Sequence, residues 1–426
     1  MTNNLKVLVI SHNCFSNNTN VGKTISSYFD GFPSNSISQL YFHYEVPNVK
    51  TAGSYFRFSD VDAIKSIFIR GRYGTTVEPD ISLSDTRMDH GNLKAIYNHG
   101  RKRTPFIYLA RNFIWSLSSW NAKKLRRWVT AFNPDVIFFI SGDYSFSYKI
   151  ALKISKTISK PLIVSCMDDF YSFNQNEKLH FGKKVYKSFM KVVKKTIDYS
   201  SGIVCLNDKM ADLYKTLFSK PTFVYYKSSE TSFIGNPYES RNGFSYLGGL
   251  SLGRNLSLMD VANCIHSLNP DYYVDVYSSE TDKEIIDSIR ACSGIRFHGS
   301  IDANTVKLVE SNTKYLIHVE SQLFRKHVMY SMSTKIPESL ASGACLLAYG
   351  PSDVASMEYL SKNSCAFVAT NKEELANLLP TFLRDGQRQQ LYLDNARRIV
   401  NKNHNKAITT NAFIKWLNEI VVKNNE

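Results

Sequence analysis

The feature that most constrains this chain is a repeated alternation. Short apolar runs rich in β-branched residues each end in polar or glycine residues and are each followed by a stretch with helical spacing. Runs at residues 6–10, 134–141, 161–165 and 201–206 read as strands buried on both faces, and runs at 244–247, 272–277, 295–297, 315–319 and 344–348 repeat the pattern. Less regular strands are expected at 39–44 and 66–69. Strand-helix alternation of this kind predicts the α/β class with doubly wound parallel sheets. A loop-rich stretch at 220–242, with Pro221, Gly235 and Pro237, separates an N-terminal domain at 1–219 from a second domain at 243–404, and residues 405–426 form a last helix. A chain of 426 residues, 43% hydrophobic, supplies a core for each.

Open parallel sheets place ligands at the C-terminal ends of their strands, so the residues that close each run are the site candidates. Residues 331–351 read as a loop, a short helix with Pro337 in its first turn, a Ser342-Gly343 stop, a strand and a Gly350-Pro351 turn. Ser333, Thr334 and Lys335 precede that helix, where hydroxyls, a cation and unpaired amides suit a diphosphate. Glu338 is spaced to lie on the side of Lys335 and to accept hydrogen bonds from a ribose diol. The alternative is a capped helix packed on a strand. Gly248 and Gly249 close another strand, where the missing side chains let backbone amides approach a phosphate, and Arg254 can bind one in bidentate fashion. Asp168 and Asp169 follow the strand at 161–165 and are either a catalytic carboxylate pair or a turn cap. Glu320 ends the strand at 315–319 and is a further candidate contact.

Several function classes are set aside. Gly22-Lys23-Thr24 resembles the end of a phosphate-binding P-loop, but that motif needs a glycine where this chain has Asn17. The seven cysteines are scattered and never spaced as Cys-x-x-Cys, so neither a disulfide framework nor a zinc site is suggested, and no bound metal is inferred. Only four consecutive apolar residues follow the N-terminus, and no run reaches the length of a membrane span, which predicts a cytoplasmic protein. The net charge of +15 calls for an anionic partner. A segment from Arg101 to Trp128 interleaves Phe106, Phe113, Trp115 and Trp120 with Lys123, Lys124, Arg126 and Arg127, and a helix at 182–197 carries six lysines and no acid. Both suit an anionic membrane surface, and both are also what core helices with solvated basic faces look like.

Ser333-Thr334-Lys335, Glu338, Leu340-Ala341-Ser342-Gly343 and Tyr349-Gly350-Pro351 together resemble the donor-binding segment of bacterial two-domain nucleotide-sugar glycosyltransferases of the GT-B type, family-four-like enzymes of capsule and O-antigen synthesis. The stretch from Tyr246 to Arg254 resembles the same family's Tyr-x-Gly-x-Leu-x-x-x-Arg element. The resemblance implies two Rossmann-like domains facing a cleft, with the C-terminal helix crossing back to the first domain. It implies transfer of a sugar from a nucleoside diphosphate sugar to a glycan or polyprenyl-linked glycan, without a metal or other cofactor and with retention of configuration. It places Gly248, Gly249, Arg254, Ser333, Thr334, Lys335 and Glu338 on the donor, His298 at the turn near the base, and Asn20, Gly22 and Lys23 in the loop that reaches donor or acceptor. Tyr330 stands where many retaining members have a glutamate, a departure that bears on contacts to the donor sugar. The competing class is a basic nucleotide- or nucleic-acid-binding protein without transferase activity; no nucleic-acid module accompanies the charge.

Overall fold

Val7, Leu8, Val9 and Ile10 are fully buried, so β1 (Val7–Ser11) must be covered on both faces, which a parallel strand between two helical layers achieves. The structure, a computed structural model, describes residues 5–83, 105–172, 180–229 and 237–425. Flanking β1 are β2 (Ile37–Tyr41), β3 (Ser54–Arg57) and β4 (Thr75–Thr76) on one side. On the other are β5 (Val136–Ile140), β6 (Leu162–Cys166), β7 (Gly202–Cys205) and β8 (Thr222–Val224), giving the order β4-β3-β2-β1-β5-β6-β7-β8. Every pairing is parallel except that of β4 with β3. The strand order reverses between β1 and β5, the switch point at which such sheets open a crevice.

Two compact units divide the chain, Met1–Tyr225 with Thr410–Glu426, and Tyr226–Thr409. The last helix, Lys406–Asn425, brings Phe413, Leu417 and Ile420 into the first unit's core beside Tyr28, Phe29 and Phe138. Ile408, in the first turn of that helix, is exposed. Trp416 lies so close to Gly202 that a Cβ there would be 2.9 Å from the indole, which is why β7 begins with glycine.

The second unit holds β9 (Asn242–Leu247), β10 (Val274–Tyr277), β11 (Ile295–Gly299), β12 (Thr313–Val319), β13 (Cys345–Tyr349) and β14 (Phe367–Ala369) in the order β11-β10-β9-β12-β13-β14, all parallel. Its switch point lies between β9 and β12. Leu258, Val261 and Ile265 of the helix Arg254–Leu268 cover one face, and Ile336, Leu340 and Met357 belong to the cluster on the other.

Two local expectations are corrected. Residues 66–68 are the end of a helix, Asp60–Phe68, which a reciprocal capping box between Ser59 and Asp62 starts. The stretch at 220–242 is more ordered than a linker, since β8 within it is an edge strand of the first sheet; residues 230–236 lie outside the described ones.

Candidate functional site

At the C-terminal ends of β9 and β12 the second unit encloses a cavity of about 280 Å³, lined by Gly248, Gly249, Arg254, His318, Glu320, Ser333, Thr334 and Lys335 among others. The turn out of β9 is built by close approach. A Cβ on Gly248 would fall 2.5 Å from the Tyr246 ring, whose hydroxyl donates to the Gly249 carbonyl at 2.7 Å. Gly253 has φ +73° and lies against Ser321 and Phe324, so only glycine fits before the helix that Arg254 opens.

Arg254 is held rather than merely present. Its Nη2 and Nε donate to Glu320 Oε2 at 3.0 and 3.3 Å. Glu320 is 1% exposed, takes a bond from Ser356 Oγ at 3.1 Å, and has His318 Nε2 at 3.4 Å. Burial pushes its carboxyl up, but His318, Arg254 and Ser356 together bring it below its ordinary value. Glu320 therefore fixes the guanidinium at the cavity wall. Lys335 lines the same cavity and donates from Nζ to the Leu247 carbonyl at 2.8 Å, and burial pulls its ammonium below the usual range. The helix that follows, Ile336–Ala341, has six residues, so its dipole is short and Arg254 and Lys335 carry most of the positive potential.

Glu338 is not among the lining residues, although Lys335, Ile336 and Ser339 of the same segment are. Lys227 Nζ donates to its Oε1 at 2.6 Å and to the Thr334 carbonyl at 3.0 Å, while Oε2 is buried with no hydrogen-bond partner. No sequence signal marks Lys227, a single lysine more than 100 positions from Glu338. His298 is not among the lining residues; its Nε2 is 2.7 Å from Asp275 Oδ1 and its ring stacks on Tyr277 at 4.7 Å.

In the first unit, Asp169 is occupied by its own turn. Oδ1 accepts from the Tyr171 and Ser172 amides at 3.2 and 3.0 Å and from the Tyr214 hydroxyl at 3.1 Å, and Ser172 Oγ bonds Oδ2. Asp168 is exposed. Gly22 packs against Ser16, where a Cβ would meet Ser16 Cβ at 2.4 Å, and Lys23 is exposed. Asn20 opens the helix Asn20–Ser27, and its side chain lies outside the described residues. Sequence reasoning missed a cluster at the β1, β2 and β5 ends. His43 Nδ1 is 2.8 Å from Glu45, His12 meets His43 edge-on at 5.3 Å, and His12 lies 6.1 Å from Tyr144. Burial pushes Glu45 up, yet His43, the Cys14 amide and Asn13 more than offset it and its carboxyl sits low. Applied to the polar residues after β2, the rule that singled out Asp168 and Asp169 would have found this group.

A cavity with Arg254 and Lys335 in its lining thus lies at the switch point of a parallel sheet, the place where such sheets take their ligands. No protein-family model matches this chain, and no curated protein matches it by sequence. Solved structures do. HepE of Anabaena in complex with UDP superposes with a TM-score of 0.63 at 12% identity, over 97% of this chain and 100% of that one. The fold is GT-B. Sucrose-phosphate synthase from Thermosynechococcus elongatus gives 0.62 at 8% identity over 98% of this chain and 100% of that one. WaaG, a glycosyltransferase involved in lipopolysaccharide biosynthesis, gives 0.56 at 11% over 96% and 98%. This GT-B chain thus shares its architecture with glycosyltransferases along its whole length while sharing few of their residues.

Proposed function

We propose that the protein is a nucleotide-sugar glycosyltransferase that moves a sugar from a nucleoside diphosphate donor to a hydroxyl of a growing, lipid-linked envelope polysaccharide at the inner face of the cytoplasmic membrane. The observation that carries the reading is the cavity at the β9/β12 switch point, with Arg254 and Lys335 both in its lining. These cations stand where negative charge grows as a diphosphate departs, and supply what a divalent metal supplies in other transferases, so the reading is metal-independent. Ser333 and Thr334 add polar groups at the same wall, and Glu338, one turn beyond Thr334, is read as the acceptor for ribose hydroxyls. HepE, solved with UDP and with UDP-glucose, makes a uridine donor the first to try.

By its resemblance the reaction is read as retaining. The acceptor oxygen bonds to the anomeric carbon, and the bond from that carbon to the diphosphate breaks with its electron pair leaving on the diphosphate. The acceptor proton passes to a phosphate oxygen, so no protein base is essential. With inversion instead, Asp168 or Asp169 takes the role of base, since a carboxylate must then take the acceptor proton.

The test is thermal shift of the full chain against UDP, GDP, CDP and ADP and against magnesium-ATP, repeated with Lys335→Ala. One nucleoside diphosphate stabilises the protein without metal, and the mutant loses most of that shift. Stabilisation by magnesium-ATP alone, unchanged in the mutant, overturns the reading and turns attention to Lys23.

A further inference from the structure

Two of the charges in the cavity wall cancel each other. The titratable groups among its lining residues are Tyr246, Arg254, His318, Glu320 and Lys335. Arg254 spends Nε and Nη2 on Glu320 Oε2, so its positive charge meets a buried negative one. Burial pushes the Tyr246 phenol up and keeps it neutral. Among these residues Lys335 is left as the cation without a carboxylate bonded to it, donating instead to the Leu247 carbonyl. A nucleoside diphosphate sugar brings two negative charges, one on each phosphate, and a low-dielectric wall makes a mismatch of charge costly.

His318 is placed to change that balance. It stands two residues before Glu320, so both side chains project from the same face of β12. Its Nε2 is buried, makes no hydrogen bond and lies 3.4 Å from Glu320 Oε1, the oxygen that Arg254 does not use. Ser356 Oγ, from the helix Ala355–Lys362, donates to that same oxygen at 3.1 Å. A protonated ring carries N–H at both nitrogens and turns the 3.4 Å approach into a charge-assisted bond. Histidine is the side chain that changes charge most readily near neutral pH. Beyond the lining, Glu310, Glu338 and Lys227 act on Lys335. Lys227 and Glu338 are paired with each other at 2.6 Å, and Glu310 is pushed up to about 7, first by burial and then by the charge of Glu338. Glu310 is therefore a second place for a proton near neutrality, and the test has to tell the two apart.

We propose that His318 is a positioning residue that takes up a proton from solvent when a nucleoside diphosphate sugar binds. The imidazolium then becomes the partner of Glu320 Oε1, and Arg254 meets the diphosphate with its charge no longer cancelled. The inference rests on the transferase reading and adds to it a proton linkage through a residue that touches Glu320 rather than the reacting atoms.

The experiment is calorimetric titration of the full chain, without metal, with UDP-glucose, UDP-N-acetylglucosamine, GDP-mannose and ADP-glucose. Each is run in HEPES and in Tris at about pH 7, and affinities are then followed from about pH 6 to 8. The diphosphate of a nucleotide sugar is a diester that does not titrate in this range, so a difference in heat between the buffers counts protons bound by the protein. For the donor that binds, the wild type takes up about half a proton and binds about tenfold more tightly at pH 6 than at pH 8. His318→Gln, or His318→Asn if the glutamine variant does not fold, takes up no proton and keeps roughly the wild type's pH 8 affinity throughout. Glu320→Gln also takes up none, because the ring then faces a neutral amide. Where only a nucleoside diphosphate binds, the uptake is read as the difference between wild type and His318→Gln, in which the ligand's own phosphate cancels. A wild type that takes up no proton overturns the inference while leaving the transferase reading intact. So does an uptake that persists in His318→Gln, which Glu310→Gln would remove if Glu310 is its source. A wild type that binds none of the nucleotide sugars and none of UDP, GDP, CDP and ADP overturns the transferase reading itself.

Discussion

At the scale of single residues, the site is governed by how its charges are braced. Arg254 faces the cavity because Glu320 holds it from behind, so the two are one functional unit. Replacing Arg254 by Met leaves a buried carboxylate with only His318 and Ser356 beside it. We expect a loss of about 2 kcal/mol in urea unfolding, below the usual cost of breaking a buried pair because those two partners remain. Affinity for the stabilising diphosphate falls about tenfold in the same variant, a charge-assisted bond lost. Glu320→Gln keeps the fold and weakens the diphosphate through Arg254 alone; unchanged affinity there would show that Glu320 does not position the guanidinium. Residue identity was legible where chemistry is local. Arg254, Lys335 and Glu338 each follow a strand or open a helix, and the sequence places them there. Glu320 reads as a candidate contact because it ends a strand, and its bonds to Arg254 and Ser356 give it a bracing role that the sequence does not display. Lys227 was not legible at all, since its partner is set by tertiary packing.

At the scale of elements, the segment 226–229 and the end of the helix Gly386–Asn403 are joined by His404, which caps that helix. Burial lowers His404 to about 4 from an ordinary 6.5, with the Lys227 charge adding to the fall and the bond to the Lys227 carbonyl opposing it. The unfolded chain then binds more protons than the folded one between those values, so the stability it contributes is present above pH 6.5 and lost as pH falls toward 4. Glu310 runs the other way. Its folded value of about 7 lies above the ordinary 4.5, so its contribution is present below pH 4.5 and lost as pH rises through 7. Each limb is on the order of 3 kcal/mol, and they nearly cancel in the wild type between pH 4.5 and 6.5. Urea unfolding across that window is therefore expected to be nearly flat for the wild type. In Glu310→Gln it should fall toward acid, and in His404→Gln toward neutral pH. A flat profile in both variants would contradict the assignment. The sheets themselves were readable from the alternation of runs and helices, because buried parallel strands are unbroken apolar segments. Residues 66–69 misled for the same reason: Ile67, Phe68 and Ile69 form an apolar run too short for periodicity to separate a strand from a helix end.

At the scale of the whole molecule, the proposed lipid partner is argued from the charge of +15 and from the surface of the first unit. The helices Asp60–Phe68 and Pro105–Leu117 are joined by Asp60, which accepts from Arg111 Nε at 2.9 Å and Trp115 Nε1 at 2.7 Å. Trp115, one of the expected interfacial aromatics, is buried by this packing, while others are turned outward: Phe106 is 75% exposed and Phe68 82%. Leu109, Phe113 and Leu117 continue the stripe from Phe106 at intervals of three and four residues, and Ile64 lies one turn before Phe68. Exposed Lys65, Arg70, Arg72, Lys123, Lys124, Arg126 and Arg127 belong to the same helices or the segments after them; residues 101–103 lie outside the described ones. Among the described residues no helix is long and apolar enough to cross a membrane, so the geometry suits docking at an interface. Seating an exposed Phe in the acyl boundary contributes about 1.5 kcal/mol, and each nearby cation about 1 kcal/mol on an anionic surface. We therefore expect co-sedimentation with phosphatidylglycerol vesicles at least tenfold stronger than with phosphatidylcholine alone. The variant Phe68→Ser with Phe106→Ser should bind the anionic vesicles more than tenfold more weakly, with diphosphate affinity unchanged because the substituted residues belong to the other unit. Equal binding to both vesicle types would remove the membrane from the proposal. A charge effect that survives the double substitution but vanishes in high salt would reduce it to electrostatic attraction, because insertion of apolar side chains is the part that salt does not screen.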